Sequence, residues 1–439
     1  MSVRLNCEVC VTRRSFVRFF VSLLCLLLFA AACSAPIMPR LPQPSDRLSD
    51  GSAAEIPEVD QRNYSWLIQQ LGGVYPDAEL ATYVDRVGQS LVSGLSPAGM
   101  EYRFVVLNDL VPNAVSLPGG FVAISRGLLV RLKSEAQLAA VLGCEIGHIR
   151  AGHHLQGVER DSGHRVDPEL SVDSEYLELA ISLSSVEQEL LTKNYSLTQE
   201  QEADRLAVDM LAASGYLPDA VLELLEGYLE QQDHTDDGSV RLFRAHPVSP
   251  ERLEKVRSYI GKYYPVRVSG GGGKDFLALV EPLQQSAESF RLYNQGRQLE
   301  RKGQFAQAIA IYHQALQVAP EDALILAGLG LAYLRTEDMV PARRYLLKAV
   351  NLQGDYAKTR LGLGYLYLQK WQYAQAVNQL EASLRLLPTV EGAFLLAEAQ
   401  QNIGQKVKAR DLYRIVASVD QEGKLGRLAE QRQIVLDGE

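Results

Sequence analysis

A short segment near residue 145 carries the residue types that hold a metal ion and activate water. Cys144 and His148 are four positions apart, so on a helix they lie one turn apart on one face and can bind a single cation. Glu145 lies between them, where its carboxylate can act as general base toward a water molecule at the metal. The spacing therefore indicates metal-assisted hydrolysis.

A second acidic segment, on a later predicted helix, can complete this site. Glu200 is a suitable third metal ligand, and Asp204 lies one turn further along the same face. We expect Asp204 to orient His148 by a hydrogen bond without binding the metal itself. Taken alone, these carboxylates are more often a solvated acidic helix face, so their interpretation depends on the rest of the site.

The elements that must position these side chains follow from hydrophobic periodicity. Helices are predicted over 77–93, 134–152, 171–193 and 198–214, and strands over 102–107 and 120–125. Ser134 begins the second helix as its N-cap, and Gln137, three residues on, is predicted to complete a capping box. The glycine run at 270–273 is typical of a flexible linker and separates this region from a second one.

The region after this linker repeats with a period of 34 residues. Small residues recur at that step in several independent columns, namely Gly296, Gly330 and Gly364, then Ala308, Ala342 and Ala376, and also Ala315 and Ala349. This period, with small residues where paired helices cross, predicts tetratricopeptide repeats. A less regular fourth unit contains Gly404 and Ala409. Such a stack buries a continuous core and offers a concave surface for peptides.

The first 33 residues are typical of an export signal. Arginines at the start precede a short apolar run that ends in Ala-Ala-Ala before Cys33. Arg13 and Arg14 resemble a twin-arginine signal, and the alanines resemble a lipoprotein cleavage site, which predicts lipidation at Cys33. Ordinary signal-peptidase cleavage and an uncleaved inner-membrane anchor are the alternatives. We expect a periplasmic protein of a Gram-negative bacterium, anchored by its lipid to the outer membrane.

Charge and cysteine content limit the remaining possibilities. The net charge of -9 argues against a nucleic-acid partner, because such proteins need a basic face. After removal of the leader, Cys144 is the one cysteine left besides the lipidated Cys33, so no disulfide framework is expected.

Several motifs together resemble a known peptidase family. They are the stretch 134–153, Asn113-Ala114 followed by Pro118-Gly119-Gly120, the stretch 195–204, and His246-Pro247 with Arg252. These motifs are similar to those of the zinc metallopeptidase family of the CAAX prenyl proteases and HtpX. The resemblance implies one zinc ion bound by residues 144, 148 and 200, with Glu145 catalytic. It also implies that His246 can bind the zinc as a fourth ligand that restrains activity, and that Pro118, Gly119 and Gly120 lie beside the substrate.

The predicted fold is mainly α, with an α+β zincin-like domain containing a small sheet and an all-α tetratricopeptide solenoid. The predicted segments are a signal peptide at 1–33, a tether at 34–60, the metallopeptidase-like domain at 61–265, a Gly-rich linker at 266–284, repeats at 285–425 and a tail at 426–439.

Cys144 departs from the family pattern, which has histidine there. A cysteine sulfur lies about 1.8 Å from Cβ and an imidazole nitrogen roughly 3.6 Å, so the metal or the helix would have to shift by about 1.5 Å. Three outcomes remain open: an altered zinc site that turns over, zinc without useful turnover, and no metal. A nucleophilic Cys144 with His148 as base is weaker, since nothing indicates an oxyanion hole. His153 is not expected to replace Cys144, because it falls on another helix face.

Two functions follow from this. One is an exported zinc endopeptidase, with water activated by Glu145, that acts in quality control or assembly of outer-membrane proteins. The other is an impaired pseudopeptidase that serves as a tetratricopeptide chaperone or scaffold. In both, the groove of the repeats contacts assembling or misfolded outer-membrane proteins or the β-barrel assembly machinery. His164, His234 and His313 are expected to be surface histidines.

Overall fold

The computed structural model describes residues 64–93, 100–155, 194–231, 242, 245–266 and 274–438. The predicted fold class is confirmed, because the chain is mainly helical with one small sheet and an all-helical C-terminal array. None of the helices in these ranges is long and apolar enough to cross a membrane. The leader with Cys33, the tether and the helix predicted over 171–193 lie outside the described residues.

The sheet has three strands, β1 (Arg103–Leu107), β2 (Ala114–Leu117) and β3 (Phe121–Ser125). Their order is β1-β3-β2, with β3 parallel to β1 and antiparallel to β2, so β2 is an edge strand. The sequence prediction missed β2, because its four residues lie between turn-forming residues. Gly119 and Gly120 have φ of +91° and +92°, and glycine is the residue that adopts this backbone without strain at the β2–β3 turn.

Besides a short helix over 64–70, six helices belong to this domain, and the first three of them contact the sheet. The six are α1 (Ala78–Val92), α2 (Arg126–Leu129), α3 (Glu135–Arg150), α4 (Leu197–Ala213), α5 (Asp219–Gln231) and α6 (Pro250–Tyr263). Ser134, Ser196 and Ser249 cap three of them by accepting the backbone N–H three residues on. At Ser134 the predicted capping box is altered, since the Gln137 side chain accepts the N–H of Lys133.

Helices α3 and α4 cross at very short range. A Cβ on Gly147 would lie 2.8 Å from the carbonyl oxygen of Ala203, and one on Gly143 would lie 3.2 Å from the Cβ of Ala207. These small residues are four apart on each helix, so they form a flat stripe where the two backbones meet. The crossing brings the residue after Gly147, which is His148, close to the first turn of α4.

The C-terminal half is a row of helix pairs. Its helices are α7 (Lys274–Gln285), α8 (Ala287–Arg301), α9 (Phe305–Val318), α10 (Ala323–Arg335), α11 (Met339–Leu352), α12 (Ala357–Gln369), α13 (Tyr373–Leu386), α14 (Val390–Asn402), α15 (Lys406–Val419) and α16 (Lys424–Asp437). Two of them differ from the sequence prediction. Helix α7 lies in the predicted linker and buries Phe276 and Val280, while α16 lies in the predicted tail and buries Ala429. Helix α7 packs against α1 and α8, and α16 packs against α15 at the end of the array.

One hydrophobic core runs from α1 through the sheet into the first repeats. At this junction the guanidinium of Arg126 donates to Asp322 at 2.6 Å, and both side chains are only 5% exposed. The Gln353 amide donates to the carbonyls of Gly72 and Val74, both at 3.1 Å. The domain that contains the sheet and the first repeats therefore pack directly against each other at this junction.

Candidate metal centre

Three side chains from separate elements converge in the interior. His148 comes from the last turn of α3, Glu200 from the first turn of α4, and His246 from the segment before α6. All three are buried, and one donor atom from each lies within 4.8 Å of the others. His148 Nε2 is 3.5 Å from Glu200 Oε1, and His246 Nδ1 is 3.0 Å from the same oxygen.

Glu145 lies beside this cluster with its two oxygens engaged differently. Oε1 is 3.3 Å from Nε2 of His246. Oε2 accepts a hydrogen bond of 2.6 Å from the hydroxyl of Ser116 on edge strand β2. The Ser116 hydroxyl also lies 3.1 Å from Nε2 of His154. The sheet therefore reaches the predicted catalytic carboxylate through Ser116, a residue that the sequence analysis did not identify.

Cys144 does not join the three converging side chains, in contrast to its predicted role as a ligand. Its thiol donates toward Oδ1 of Asp204 at 3.6 Å. Burial, and then the charge of Asp204, raise the pKa of the thiol well above its usual value. The Cys144 thiol therefore contacts the Asp204 carboxylate and is not among the three clustered donors.

Asp204 also has a different partner from the one predicted. The Arg252 guanidinium donates to both of its carboxylate oxygens, at 2.6 and 2.8 Å, so the Asp204 carboxylate is bound to Arg252 and Cys144 and does not orient His148. Arg252 Nη2 also lies 2.7 Å from Oε2 of Glu200. The buried guanidinium of Arg252 thus compensates the charges of two buried carboxylates. Without it, burying these two negative charges would be costly.

Two histidines after α3 return to the site. The helix ends at Arg150, and Gly152 with φ of +65° reverses the chain. His153 Nδ1 therefore lies 3.0 Å from His148 Nδ1, although continued helical spacing would place it on another face. Tyr195 stacks on the His148 ring at 3.7 Å between centroids, and its hydroxyl lies 3.2 Å from His154 Nδ1.

Electrostatics couple Glu200 to His246. Burial opposes ionisation of Glu200, but the charges of His246 and Arg252 outweigh it and hold the pKa of this carboxyl well below its usual range. Burial also lowers the pKa of His246, yet Glu200 and Glu145 outweigh it and raise this pKa above its usual value. The negative charges of Glu200 and Glu145 therefore favour a positive charge on the His246 ring.

The remaining predicted residues are not among the three clustered donors. Pro118, Gly119 and Gly120 form the turn that follows Ser116, two to four residues from the contact with Glu145. His313 is half-buried on α9, where its Nε2 lies 2.9 Å from the Tyr333 hydroxyl, so it is not a free surface histidine. His164 and His234 lie outside the described residues.

Two family models match the chain. Residues 78–260 match peptidase family M48, and residues 293–357 match a tetratricopeptide repeat. A beta-barrel assembly-enhancing protease of Escherichia coli (strain K12) is 26% identical over 289 residues, which cover 62% of this chain and 57% of that protein. The protein of the same name from Yersinia pestis is 23% identical over 381 residues, or 80% of this chain and 77% of that one.

More distant similarities cover single parts. Mitochondrial metalloendopeptidase OMA1 of Arabidopsis thaliana is 25% identical over 200 residues, 45% of this chain and 36% of that one. Among solved structures, the tetratricopeptide protein YrrB is 15% identical with a TM-score of 0.31, covering 48% of this chain and 99% of that chain. The chain carries a peptidase family M48 domain followed by tetratricopeptide repeats, and it is homologous to the beta-barrel assembly-enhancing proteases.

Proposed function

We propose that this protein is a zinc-dependent endopeptidase whose metal ion is held by His148, Glu200 and His246. The observation that carries the proposal is the convergence of these three buried side chains within 4.8 Å, beside the carboxylate of Glu145. When bound, zinc would supply Lewis acidity that polarises a carbonyl and lowers the pKa of water.

The donor set fits such an ion. His148 Nε2 is buried, and its contact of 3.5 Å with Glu200 Oε1 does not meet hydrogen-bond geometry, although burying a polar group without a hydrogen bond is costly. Ligands about 2.0–2.1 Å from one zinc in a tetrahedron lie roughly 3.4 Å apart. The separations of 3.5 Å and 3.0 Å from Glu200 Oε1 to His148 Nε2 and His246 Nδ1 are close to that value.

The surrounding residues have supporting roles in this mechanism. Glu145 would act as the base through Oε1, the oxygen that faces Nε2 of His246 at 3.3 Å, while the Ser116 hydroxyl binds Oε2 and fixes the rotamer of the carboxylate. Tyr195 would hold the plane of the His148 ring by stacking on it. Arg252, which Asp204 holds in place, would keep Glu200 ionised and fix its position by direct contact, without touching the reacting atoms.

Substrate would bind along β2. This strand is at an edge of the described sheet and carries Ser116 next to the base. An extended peptide that pairs with an edge strand is held by backbone hydrogen bonds, and its carbonyls are presented in a regular row. The Pro118-Gly119-Gly120 turn would border this peptide at one end.

His246 takes a different role in this proposal from the restraint that the family resemblance implied. Because the Cys144 thiol contacts Asp204, only two of the usual three positions, His148 and Glu200, remain in the cluster. His246 would supply the missing nitrogen donor. It would then be required for zinc binding, and its removal would not release activity.

The first experiment measures zinc content of the purified mature protein, followed by casein cleavage with and without a chelator. We expect about one zinc per chain and chelator-sensitive cleavage. Glu145→Gln is the matched control, because it should abolish cleavage and keep the zinc. A protein that contains no zinc and does not cleave casein would refute the proposal.

A second experiment tests the exchange of ligands between residues 144 and 246. We expect His246→Ala to lose zinc, Cys144→His to bind it more tightly, and the double variant to keep zinc, because histidine at 144 replaces His246. Zinc retention by His246→Ala alone would contradict this assignment. The readout is metal content, so it does not depend on turnover.

A scaffold without protease activity is the second candidate function, favoured by the loss of Cys144 from the cluster. In that case the repeats would bind clients or assembly machinery and the M48 domain would serve as a structural base. Restored cleavage in Cys144→His together with none in the native protein would support this candidate.

The biological setting is also part of the proposal. The name of the relatives, beta-barrel assembly-enhancing protease, supports a role in the assembly or quality control of outer-membrane proteins, with the repeats as the docking part. The leader supports export and lipidation at Cys33. A Cys33→Ser variant that still partitions into detergent as the native protein does would refute lipidation.

A further inference from the structure

The inner helices of the repeats line a cavity of about 620 Å³. Its walls come from α8, α10, α12 and α14, the first helices of successive pairs, with one residue from α9. Positions 297, 331 and 365 are 34 residues apart, as are 301 and 335, and also 361 and 395. The cavity is therefore part of a groove that runs across the repeats, at a size typical of ligand sites of about 300–1,000 Å³.

The charge of this groove is opposite to that of the chain. Arg297, Arg301, Arg335 and Lys358 line it together with a single carboxylate, Glu300, although the whole chain carries a net charge of -9. Arg297 pairs with Glu300 at 2.5 Å. The other three cations form no ion pair with another described residue. Burial, and then the charge of Arg297, lower the pKa of Lys358, while Glu300 raises it by a smaller amount.

The floor of the groove is apolar and partly open. Leu331, Leu334, Leu361 and Leu395 are half-buried, and Tyr365 is 37% exposed. They lie on three successive inner helices, α10, α12 and α14, and line the same groove as the cations of α8, α10 and α12. An apolar row bordered by cations fits a chain that carries both apolar side chains and carboxylates.

We propose that this groove binds an extended acidic peptide whose carboxylate side chains pair with Arg301, Arg335 and Lys358 while its apolar side chains lie on the leucine floor. Three unpaired cations spread over three helices match several carboxylates along a strand better than one terminal carboxylate. The proposal rests on the proposed docking role of the repeats. It does not depend on the metal centre.

The test is a direct binding measurement with the full mature chain in the Glu145→Gln background, so that the probe is not cut. The probe is a fluorescein-labelled octapeptide that alternates leucine with aspartate or glutamate, followed by anisotropy. We expect saturable binding that a lysine-for-acid peptide and a serine-for-leucine peptide both lose. No binding of the acidic probe, or equal binding of the serine peptide, would overturn the proposal.

Lys358→Glu is the decisive variant. Lys358 lies in the first turn of α12, where a carboxylate is favourable for the helix, so the fold should persist. Lys408→Glu is the matched control, an exposed lysine in the first turn of α15 that does not line the groove. We expect Lys358→Glu to weaken binding about tenfold and Lys408→Glu to change it less than about twofold, with equal thermal melts. Equal weakening by both would overturn the proposal and leave the zinc experiments unaffected.

Discussion

The metal centre and the repeat array are built in opposite ways. In the centre, His148 and Glu200 are completely buried polar groups, and each is held by contacts that occur once in the chain. In the array, the same contact recurs, as when Gly330 meets Leu346 and Gly364 meets Leu380, 34 residues later. When a contact that occurs once is lost, no other contact replaces it, whereas a repeated contact is also made by the equivalent units. Substitutions in the metal centre should therefore have larger effects than substitutions in the array.

The largest effect is expected where the two regions join. Arg126→Ala removes one partner of a buried ion pair and leaves Asp322 uncompensated, which should cost about 3–5 kcal/mol. We also expect separate unfolding transitions for the two regions in place of one. Arg291→Ala, which breaks an exposed pair with Glu288, is the control at roughly 0.5 kcal/mol. Urea unfolding followed by circular dichroism measures both, and similar losses would disprove the structural role of the junction.

Gly147→Ala should have the next largest effect, about 2 kcal/mol, with loss of zinc. The new Cβ would meet the backbone of Ala203 at 2.8 Å, and a backbone cannot rotate away, so α3 and α4 must separate. Gly227→Ala on α5 is the same substitution with nothing within 4 Å. It should raise stability by about 0.5–1 kcal/mol through helix propensity. Thermal melts and metal content would show the contrast; a stable, zinc-bound Gly147→Ala would contradict it.

Ser116→Ala should reduce turnover about tenfold and leave zinc content and stability nearly unchanged. The hydroxyl holds Oε2 of Glu145 at 2.6 Å but is not one of the three clustered donors. The decrease should be in kcat more than in KM, because positioning of the base changes and substrate binding does not. Ser116→Thr, which keeps the hydroxyl, should restore part of the rate. Loss of zinc in Ser116→Ala would show that the residue has a wider structural role.

The smallest effect is expected in the array. In Gly330→Ala the new Cβ meets Cγ of the buried Leu346 side chain at 2.7 Å and the Leu346 backbone nitrogen at 3.1 Å, so α11 must shift slightly away from α10. The gain in helix propensity offsets part of the strain, so we expect a loss of about 1 kcal/mol. Gly364→Ala meets Leu380 in the same way and should cost about as much. Urea midpoints that differ widely between these two variants would mean that the repeats are not equivalent.

Local patterns predicted a large part of both regions. The helix around Cys144 and His148 and the 34-residue repeat follow from periodicity, because neighbouring positions on a helix depend only on short-range geometry. The same reasoning misplaced His153, since it assumed a helix that in fact ends at Arg150. It also missed Ser116, because a four-residue edge strand has too few positions to show an alternating pattern.

The sequence by itself determined which residue types were available for chemistry and the helical frame that carries them: the one-turn spacing of 144 and 148, the acidic turn at 200, and the period of the repeats. Only the tertiary structure decided which partners they meet. It placed the Cys144 thiol on Asp204, brought His246 to Glu200, and gathered cations from three repeats into one groove. The physical reason is that these contacts join residues far apart in the chain, and their distances depend on how closely the helices pack.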